Sequence, residues 1–225
     1  SYDTIIEKLY KECLELSDKN NWEVPQFSKS QINKAGLTIA NSDSTKDEYD
    51  KAIEIMNNWR AAHAYPLQNI YSRLSDMFKD FIVVQRLKRQ ESIVGKIKRF
   101  PEMNLYRMQD LGGCRIIVDS LDQVYSTVDL IKKSFSDYEI RKETDYIQKP
   151  KKSGYRCYHM ICKFNSEDKP VYNKNMLIEI QVRTKMQHMW ATAVEMMGLF
   201  TKSNLKSSQG CLLYTSPSPR DMRRS

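Results

Sequence analysis

The sequence predicts a β-sheet domain of the α/β or α+β class that follows a helical N-terminal region. In the first third of the chain, apolar residues recur at spacings of three and four, the periodicity of helices with one buried face. After Pro101, short apolar strands alternate with helical segments, the pattern of a sheet covered by helices. We therefore divide the chain into a helical region over residues 1–79, a sheet domain over 80–203 and a tail over 204–225.

The composition is that of a water-soluble chain with a packed core. Hydrophobic residues make up 40% of the sequence, and no apolar run approaches the roughly 20 residues that span a bilayer, so we expect no membrane contact. The five cysteines form no CxxC pair, which is typical of reduced thiols in the cytoplasm. The net charge is +8, half of it beyond residue 200, and the remaining excess suits anionic substrates.

The helical region contains one helix start that is visible in the sequence. Thr45, with Glu48 three residues later, forms a capping box and predicts a helix over residues 46–63 that ends before Pro66. Further helices are predicted over 2–18 and 67–85. The polar segment 19–45 is expected to be a loop with room for a short helix.

The segment RLKRQESIVGKIKRF (Arg86–Phe100) predicts a helix with one apolar face and a narrow basic stripe. At 100° per residue, Ser92 falls within a stripe formed by Lys88, Arg89, Lys96 and Arg99. A solvated charged face is the ordinary interpretation of this pattern alone.

The sheet domain is predicted from short apolar or alternating segments. Strands are expected over 114–119, 138–146, 155–164 and 176–184, with helices over 121–134 and 185–200. The face of the last helix that carries Met186, Met189, Trp190, Ala193 and Met197 is expected to lie in the core. The tail shows no periodicity, so we expect it to be non-native or disordered and leave it out of the fold.

Acidic and polar side chains are predicted to share one face of this sheet. In the last strand, Glu179, Gln181 and Arg183 alternate with apolar residues and therefore face the same way. Asp110 lies in a glycine-rich turn just before the first strand. Two such acids suit Mg²⁺ in phosphoryl chemistry, because hard cations prefer carboxylate oxygens. The alternative is the solvated side of a half-buried sheet.

The stretch KPKKSGYRCYH (Lys149–His159) combines a turn with basic and aromatic side chains. Pro150 and Gly154 predict the turn, and the alternation of the following strand places Tyr155 and His159 on one face. The stretch is either a solvated turn or a site at which lysines hold phosphates and a tyrosine stacks on a flat ring.

Four motifs of this chain occur in the order of a known family. They are R-x-K-x-x-x-S-I-x-x-K at 86–96, D-x-x-G-x-R at 110–115, D-Y-I-x-x-P-K-x-x-G-Y-R at 145–156 with a histidine at 159, and E-I-Q-V-R-T at 179–184 with a histidine at 188. With these motifs, roughly residues 80–200 resemble the synthetase domain of the RelA/SpoT family, the GTP pyrophosphokinases that make pppGpp and ppGpp. Cys157 and Tyr158 depart from the Ser and Leu of the family pattern.

The resemblance implies an α+β fold in which helices flank a mixed β-sheet, as in nucleotidyltransferase-like synthetases. It also implies transfer of the β,γ-pyrophosphate of ATP to a ribose 3′-hydroxyl of GTP or GDP, with release of AMP. Asp110 and Glu179 would be the catalytic residues and would hold Mg²⁺. The implied ATP-binding residues are Arg86, Lys88, Ser92, Lys96 and Arg115, and the implied acceptor-binding residues are Lys151, Tyr155, His159, Gln181 and Arg183.

Two alternatives to this function remain open. Short, synthetase-only members include a toxin branch, which the stretch NNWRAAHAYPL (Asn57–Leu67) resembles, and that branch implies pyrophosphorylation of the 3′ CCA end of tRNA or synthesis of adenosine alarmones. The other alternative is an inactive module that binds nucleotide or RNA, against which the intact Asp110 and Glu179 argue. An antitoxin is implied for the toxin branch, and a homo-oligomer is implied because short members often form tetramers.

Overall fold

A five-stranded mixed sheet with helices on both faces forms the centre of the fold. The computed structural model describes residues 22–200. The strands are β1 (Ile82–Leu87), β2 (Gly112–Val118), β3 (Glu139–Asp145), β4 (Tyr158–Lys163) and β5 (Leu177–Thr184). Their order is β1-β2-β5-β4-β3; β2 and β5 are parallel, and the other neighbours are antiparallel. The predicted α+β fold is confirmed.

Six α-helices surround this sheet in the described part of the chain. They are α1 (Lys29–Ala40), α2 (Lys46–Ala62), α3 (Ala64–Met77), α4 (Gln90–Arg99), α5 (Leu121–Ser134) and α6 (Lys185–Phe200). The first three pack into the same hydrophobic core as the sheet, to which they contribute Met56, Trp59, Ile70 and Leu74. None of the helices described is long and apolar enough to cross a membrane.

The alternation of β5 separates a buried face of the sheet from a polar face. Ile178, Ile180 and Val182 are fully buried in the main core. Glu179 and Gln181 on the other face are only partly buried. The predicted division of this strand is therefore confirmed, and the polar face carries the candidate site.

Two helices of the N-terminal half differ from the prediction. Helix α1 lies where only a short helix was expected, and the helix expected over 67–85 is replaced by α3 and strand β1. The polar segment 19–45 contains α1, which begins at the capping box of Ser28 and Gln31 and buries Ile32 and Ile39. The helix expected over 67–85 ends at Met77, and Ile82–Leu87 is strand β1, because those residues pair with β2. Pro66 lies in the first turn of α3, where its missing N–H leaves no bond unmade.

The predicted helix over 86–100 was too long at its start. Arg86 lies in β1, which ends at Leu87, and Lys88 lies in the connection to α4, which begins at Gln90. The prediction of a basic stripe along one continuous helix was therefore wrong. The predicted apolar face of α4, with Ile93 and Ile97, is buried. Similarly, β4 begins at Tyr158 rather than Tyr155, so Tyr155 and Cys157 precede the strand.

The Met-rich face of α6 is exposed at Met186, Met189 and Ala193, which corrects the expectation that it lies in the core; of that face, Trp190 packs against the cluster that contains Tyr155. Met186 and Met189 are 49% and 63% exposed. The buried face of α6 is formed by Gln187, Ala191 and Val194, which are three or four residues apart and so lie on one side of the helix. The predicted helix over 2–18 and the tail over 204–225 lie outside the described residues.

Candidate active site

One cavity of about 580 Å³ opens on the polar face of the sheet. The strands β1, β2, β4 and β5 form its floor, and the turn before β4 and helix α6 form its walls. It is lined by Val84, Gln85, Arg86, Lys88, Ser92, Asp110, Gly113, Cys114, Arg115, Lys151, Tyr155, His159, Glu179, Gln181 and Glu195. The fold thus brings together parts of all four sequence motifs.

Asp110 lies at one end of the cavity between two lysines. Lys88 Nζ donates to its Oδ2 at 3.0 Å, and Lys96 Nζ donates to its Oδ1 at 2.9 Å. Burial raises the pKa of Asp110, but the charges of the two lysines outweigh burial and lower it below its ordinary value. The carboxylate is therefore ionised at neutral pH.

The connection between β1 and α4 brings these lysines to Asp110. The backbone N–H of Lys88 donates to the carbonyl of Leu111 at 2.7 Å, and Arg60 Nε donates to the carbonyl of Lys88 at 2.6 Å. Ile93 and Ile97 anchor α4 in the core, so that Ser92 faces the cavity and Lys96 reaches Asp110. Lys88 and Lys96 thus meet through tertiary packing and not through one helix face.

Glu179 lies at the centre of a hydrogen-bonded chain across three strands. His159 Nδ1 lies 2.8 Å from Glu179 Oε1, and Gln181 Nε2 donates to Oε2 at 2.7 Å. Arg115 Nε donates to Gln181 Oε1 at 3.3 Å. Burial raises the pKa of Glu179, but the hydrogen bond and charge of His159 lower it overall.

His159 connects Glu179 with Tyr155. Its Nε2 lies 3.0 Å from Tyr155 Oη. Burial lowers the pKa of His159, but its interactions with Cys157 and Glu179 outweigh burial and raise it to about 9. At neutral pH the imidazolium therefore donates from both nitrogens, to the Glu179 carboxylate and to the Tyr155 hydroxyl.

The turn before β4 positions Lys151 and Tyr155. Gly154 adopts a positive φ of 81°, and its N–H donates to the carbonyl of Lys151 at 2.8 Å. Lys151 Nζ lies 4.5 Å from the ring centroid of Tyr146 and 5.1 Å from that of Tyr155. The ammonium group therefore covers the tyrosine ring on which an acceptor base is predicted to stack.

Two of the residues predicted for the site do not line the cavity. Lys96 lies outside the cavity lining but forms an ion pair with Asp110, which lines it. Arg183 is only 1% exposed, and its Nη2 lies 2.6 Å from His188 Nδ1. Its Nε and Nη1 have no hydrogen-bond partner among the described residues. The predicted contact of Arg183 with the acceptor stays a prediction.

Glu195 lines the cavity and was missed by the sequence reasoning. It lies on α6, one turn beyond Ala191, which packs against Tyr155 and Cys157. One signal was available: Glu195 is the only acidic residue between Lys185 and Phe200. The Met-rich pattern of the same helix predicts a core face, and a charged residue within such a helix is ordinarily interpreted as solvent-facing.

The carboxylates of Asp110 and Glu179 are of the type that could hold a Mg²⁺ ion together with phosphate oxygens. Over the described residues, no group of three or more His, Cys, Asp or Glu side chains forms a metal site by itself. Mg²⁺ is usually held by one or two carboxylates together with phosphate oxygens and water. Asp110 and Glu179 line one cavity, and each carboxylate has lone pairs beyond those that its present donors use.

The cavity combines Arg86, Lys88, Arg115 and Lys151 with the ionised carboxylates of Asp110 and Glu179, a charge pattern that suits phosphorylated ligands. Comparison with known families makes the class specific: the region found in RelA/SpoT proteins matches residues 85–203. The chain belongs to the RelA/SpoT family.

Three known proteins illustrate this relationship. GTP pyrophosphokinase YjbM of Bacillus subtilis is 30% identical over 128 residues, 56% of this chain and 60% of YjbM. GTP pyrophosphokinase YwaC of the same organism is 29% identical over 164 residues, 64% of this chain and 76% of YwaC. The structure of a GTP pyrophosphokinase family protein from Streptococcus pneumoniae is similar with a TM-score of 0.53 and 26% identity, over 70% of this chain and 80% of that one. The chain thus spans only three fifths of YjbM.

Proposed function

We propose that this chain is a nucleotide pyrophosphokinase that transfers the β,γ-pyrophosphate of ATP to the ribose 3′-hydroxyl of GTP or GDP. The observation that carries the proposal is the position of Asp110 and Glu179 in one cavity with basic side chains from three motifs. The GTP pyrophosphokinase activity named for YjbM and YwaC supports the same reaction.

The proposed reaction is an in-line displacement at the β-phosphorus of ATP. The acceptor 3′-oxygen forms a bond to the β-phosphorus, the bond between that phosphorus and the α,β-bridging oxygen breaks, and AMP leaves. Glu179 accepts the proton of the hydroxyl, since it is an ionised carboxylate fixed by His159 and Gln181. A Mg²⁺ ion held by Asp110 and Glu179 would neutralise charge on the transferred phosphates.

The donor nucleotide is proposed to lie at the Asp110 end of the cavity. Lys88 and Lys96 neutralise Asp110 in this structure, and on binding they would donate instead to the phosphates of ATP. Ser92 would add a hydroxyl donor and Arg115 a charge, and Arg86 would stack on the adenine.

The acceptor nucleotide is proposed to lie at the Tyr155 end of the cavity. Lys151 would leave the face of the Tyr155 ring to bind acceptor phosphate, and the base would take its place. Burial lowers the pKa of Lys151, so its transfer to an anionic ligand is favourable. His159, Gln181 and Arg183 would hold the ribose and phosphates.

The experiment that tests this function is transfer from γ-labelled ATP. The purified chain is incubated with ATP, Mg²⁺ and either GTP, GDP, ADP or deacylated tRNA, and labelled products and AMP are separated. We expect label in guanosine nucleotide with one AMP released for each transfer. Label only in tRNA would show the toxin-type reaction, and no label in any acceptor would leave the inactive binding module as the explanation.

A further inference from the structure

Glu195 is the third acidic residue that lines the cavity, beside Asp110 and Glu179. Asp110 is bonded to two lysines, and Glu179 is bonded to His159 and Gln181, so both are fixed at the floor. Glu195 lies in the wall formed by α6, where its side chain lines the cavity and is partly open to solvent. Because a carboxylate is a hydrogen-bond acceptor with two oxygens, the part of a nucleotide that suits Glu195 is one rich in N–H donors, such as the edge of a base.

The position of Glu195 places it at the Tyr155 end of the cavity. Ala191 packs directly on Tyr155 and Cys157, and Trp190 lies 6.5 Å from the Tyr155 ring, centroid to centroid. Glu195 follows Ala191 by one helical turn on the same face of α6, a rise of about 6 Å. A base that stacks on Tyr155 would therefore present one edge towards this helix.

We propose that Glu195 reads the acceptor base and selects guanine over adenine. The inference rests on the proposed function, whose acceptor it makes specific. The Watson–Crick edge of guanine presents two neighbouring donors, N1–H and N2–H, to the two oxygens of one carboxylate. Adenine presents its N6–H donor beside the unprotonated N1, whose lone pair would face a carboxylate oxygen. Glu195 thus favours a guanosine nucleotide and disfavours the terminal adenosine of tRNA and adenosine nucleotides.

Glu195→Gln provides the test, because the amide matches adenine. The Nε2 of the glutamine can donate to adenine N1, and its Oε1 can accept from adenine N6–H. On guanine, the Nε2–H donor of the same amide would face one of the N–H donors of the base. We expect the ratio of kcat/KM for GDP over ADP to fall about tenfold to a hundredfold, the range for one bidentate base contact. Glu195→Asp should keep the guanine preference, because it keeps the carboxylate.

The matched control is Glu54→Gln, which makes the same change at an exposed position of α2 that does not line the cavity. We expect it to leave the ratio unchanged. A merely structural effect of Glu195→Gln would lower activity on both acceptors alike. An unchanged ratio in Glu195→Gln, or a wild-type chain that prefers ADP or deacylated tRNA to GDP, would overturn the assignment while leaving pyrophosphate transfer intact.

A binding measurement separates this inference from the proposed function. Equilibrium dialysis with labelled GDP or ADP is performed in the presence of the α,β-methylene analogue of ATP, which occupies the donor site and cannot transfer. If no variant turns over, the proposed function fails. Selective binding of GDP that is lost in Glu195→Gln would still support the base contact, and equal binding of GDP and ADP by the wild-type chain would refute it.

Discussion

At the scale of single residues, Asp110 and Glu179 are held by donors that the proposed substrates would compete for. Lys88 and Lys96 hold Asp110 at the proposed donor site, and the His159 imidazolium holds Glu179 at the proposed acceptor site. Positioned charge of this kind contributes most to phosphoryl transfer, since the chain performs little covalent chemistry itself. Changes at these residues should therefore affect rate more than fold.

We predict that Asp110→Asn and Glu179→Gln each lower kcat by a factor on the order of 1000 or more, because each removes a charge from the reacting centre. Both substitutions preserve shape, so the far-UV circular dichroism spectrum should stay as in the wild-type chain. Transfer from γ-labelled ATP measures the rate. Full activity in both variants would exclude the proposed mechanism.

The His159–Glu179 pair should make stability depend on pH. Although burial lowers the pKa of His159, its interactions with Cys157 and Glu179 raise it from 6.5 to about 9. The stability contributed by the charged form of His159 is therefore fully present below pH 6.5 and is lost as pH rises through 9, up to about 3 kcal/mol. The Tm difference between the wild-type chain and His159→Asn should shrink over that range, and a constant difference from pH 6 to 10 would contradict this pairing.

At the scale of elements, short local signals decide where helices begin, while packing decides which face is buried. The capping box of Thr45 and Glu48 is formed as predicted, with Thr45 Oγ1 accepting from the Glu48 N–H at 3.3 Å. In α6, by contrast, Ala191 and Val194 face the protein and Met189 faces outwards. Hydrophobicity alone therefore does not assign the buried face of a helix that is apolar on several sides.

Thr45→Ala should destabilise the chain by about 1 kcal/mol, because the N-terminal N–H groups of α2 lose their acceptor. Thermal unfolding should show a decrease in Tm of a few degrees. Ser42→Ala is the matched control, since the Ser42 hydroxyl donates only to the neighbouring Asp43 in an exposed loop. Equal Tm values for the two variants would mean that the capping box contributes little.

At the scale of the whole molecule, the helical region and the sheet share one core. Trp59 of α2 is 1% exposed and stacks on Tyr106 at 5.0 Å between centroids. Tyr65 of α3 stacks on Tyr172, which precedes β5, at 4.5 Å. These contacts connect sequence-distant segments, so the site on the sheet depends on the helices that precede it. The boundary at residues 79 and 80 stays a prediction.

Trp59→Ala should therefore destabilise the sheet as well as the helices, by roughly 3–5 kcal/mol. We expect unfolding curves from far-UV circular dichroism and from loss of pyrophosphate transfer to shift together in denaturant. Two separate transitions, with only the first shifted, would instead support independent folding of residues 1–79 and 80–203.

Local patterns in the sequence predict four of the five strands, the bounds of α2, α5 and α6, the family and the polar face of β5. Each of these follows from local periodicity, a capping box or a motif of fixed spacing, which does not depend on distant residues. The two lysines near Asp110 could also be named from a motif, even though the single helix assumed for them was wrong.

How these segments meet depends on contacts between residues that are distant in the sequence. Residues 82–87 became a strand because β2 offers them pairing partners, which no local pattern records. Tyr155 is covered by Lys151, and Glu195 reaches the cavity because α6 turns its Met-rich side outwards. Burial and proximity are properties of the packed chain, so the residue proposed to select the acceptor base became visible only in three dimensions.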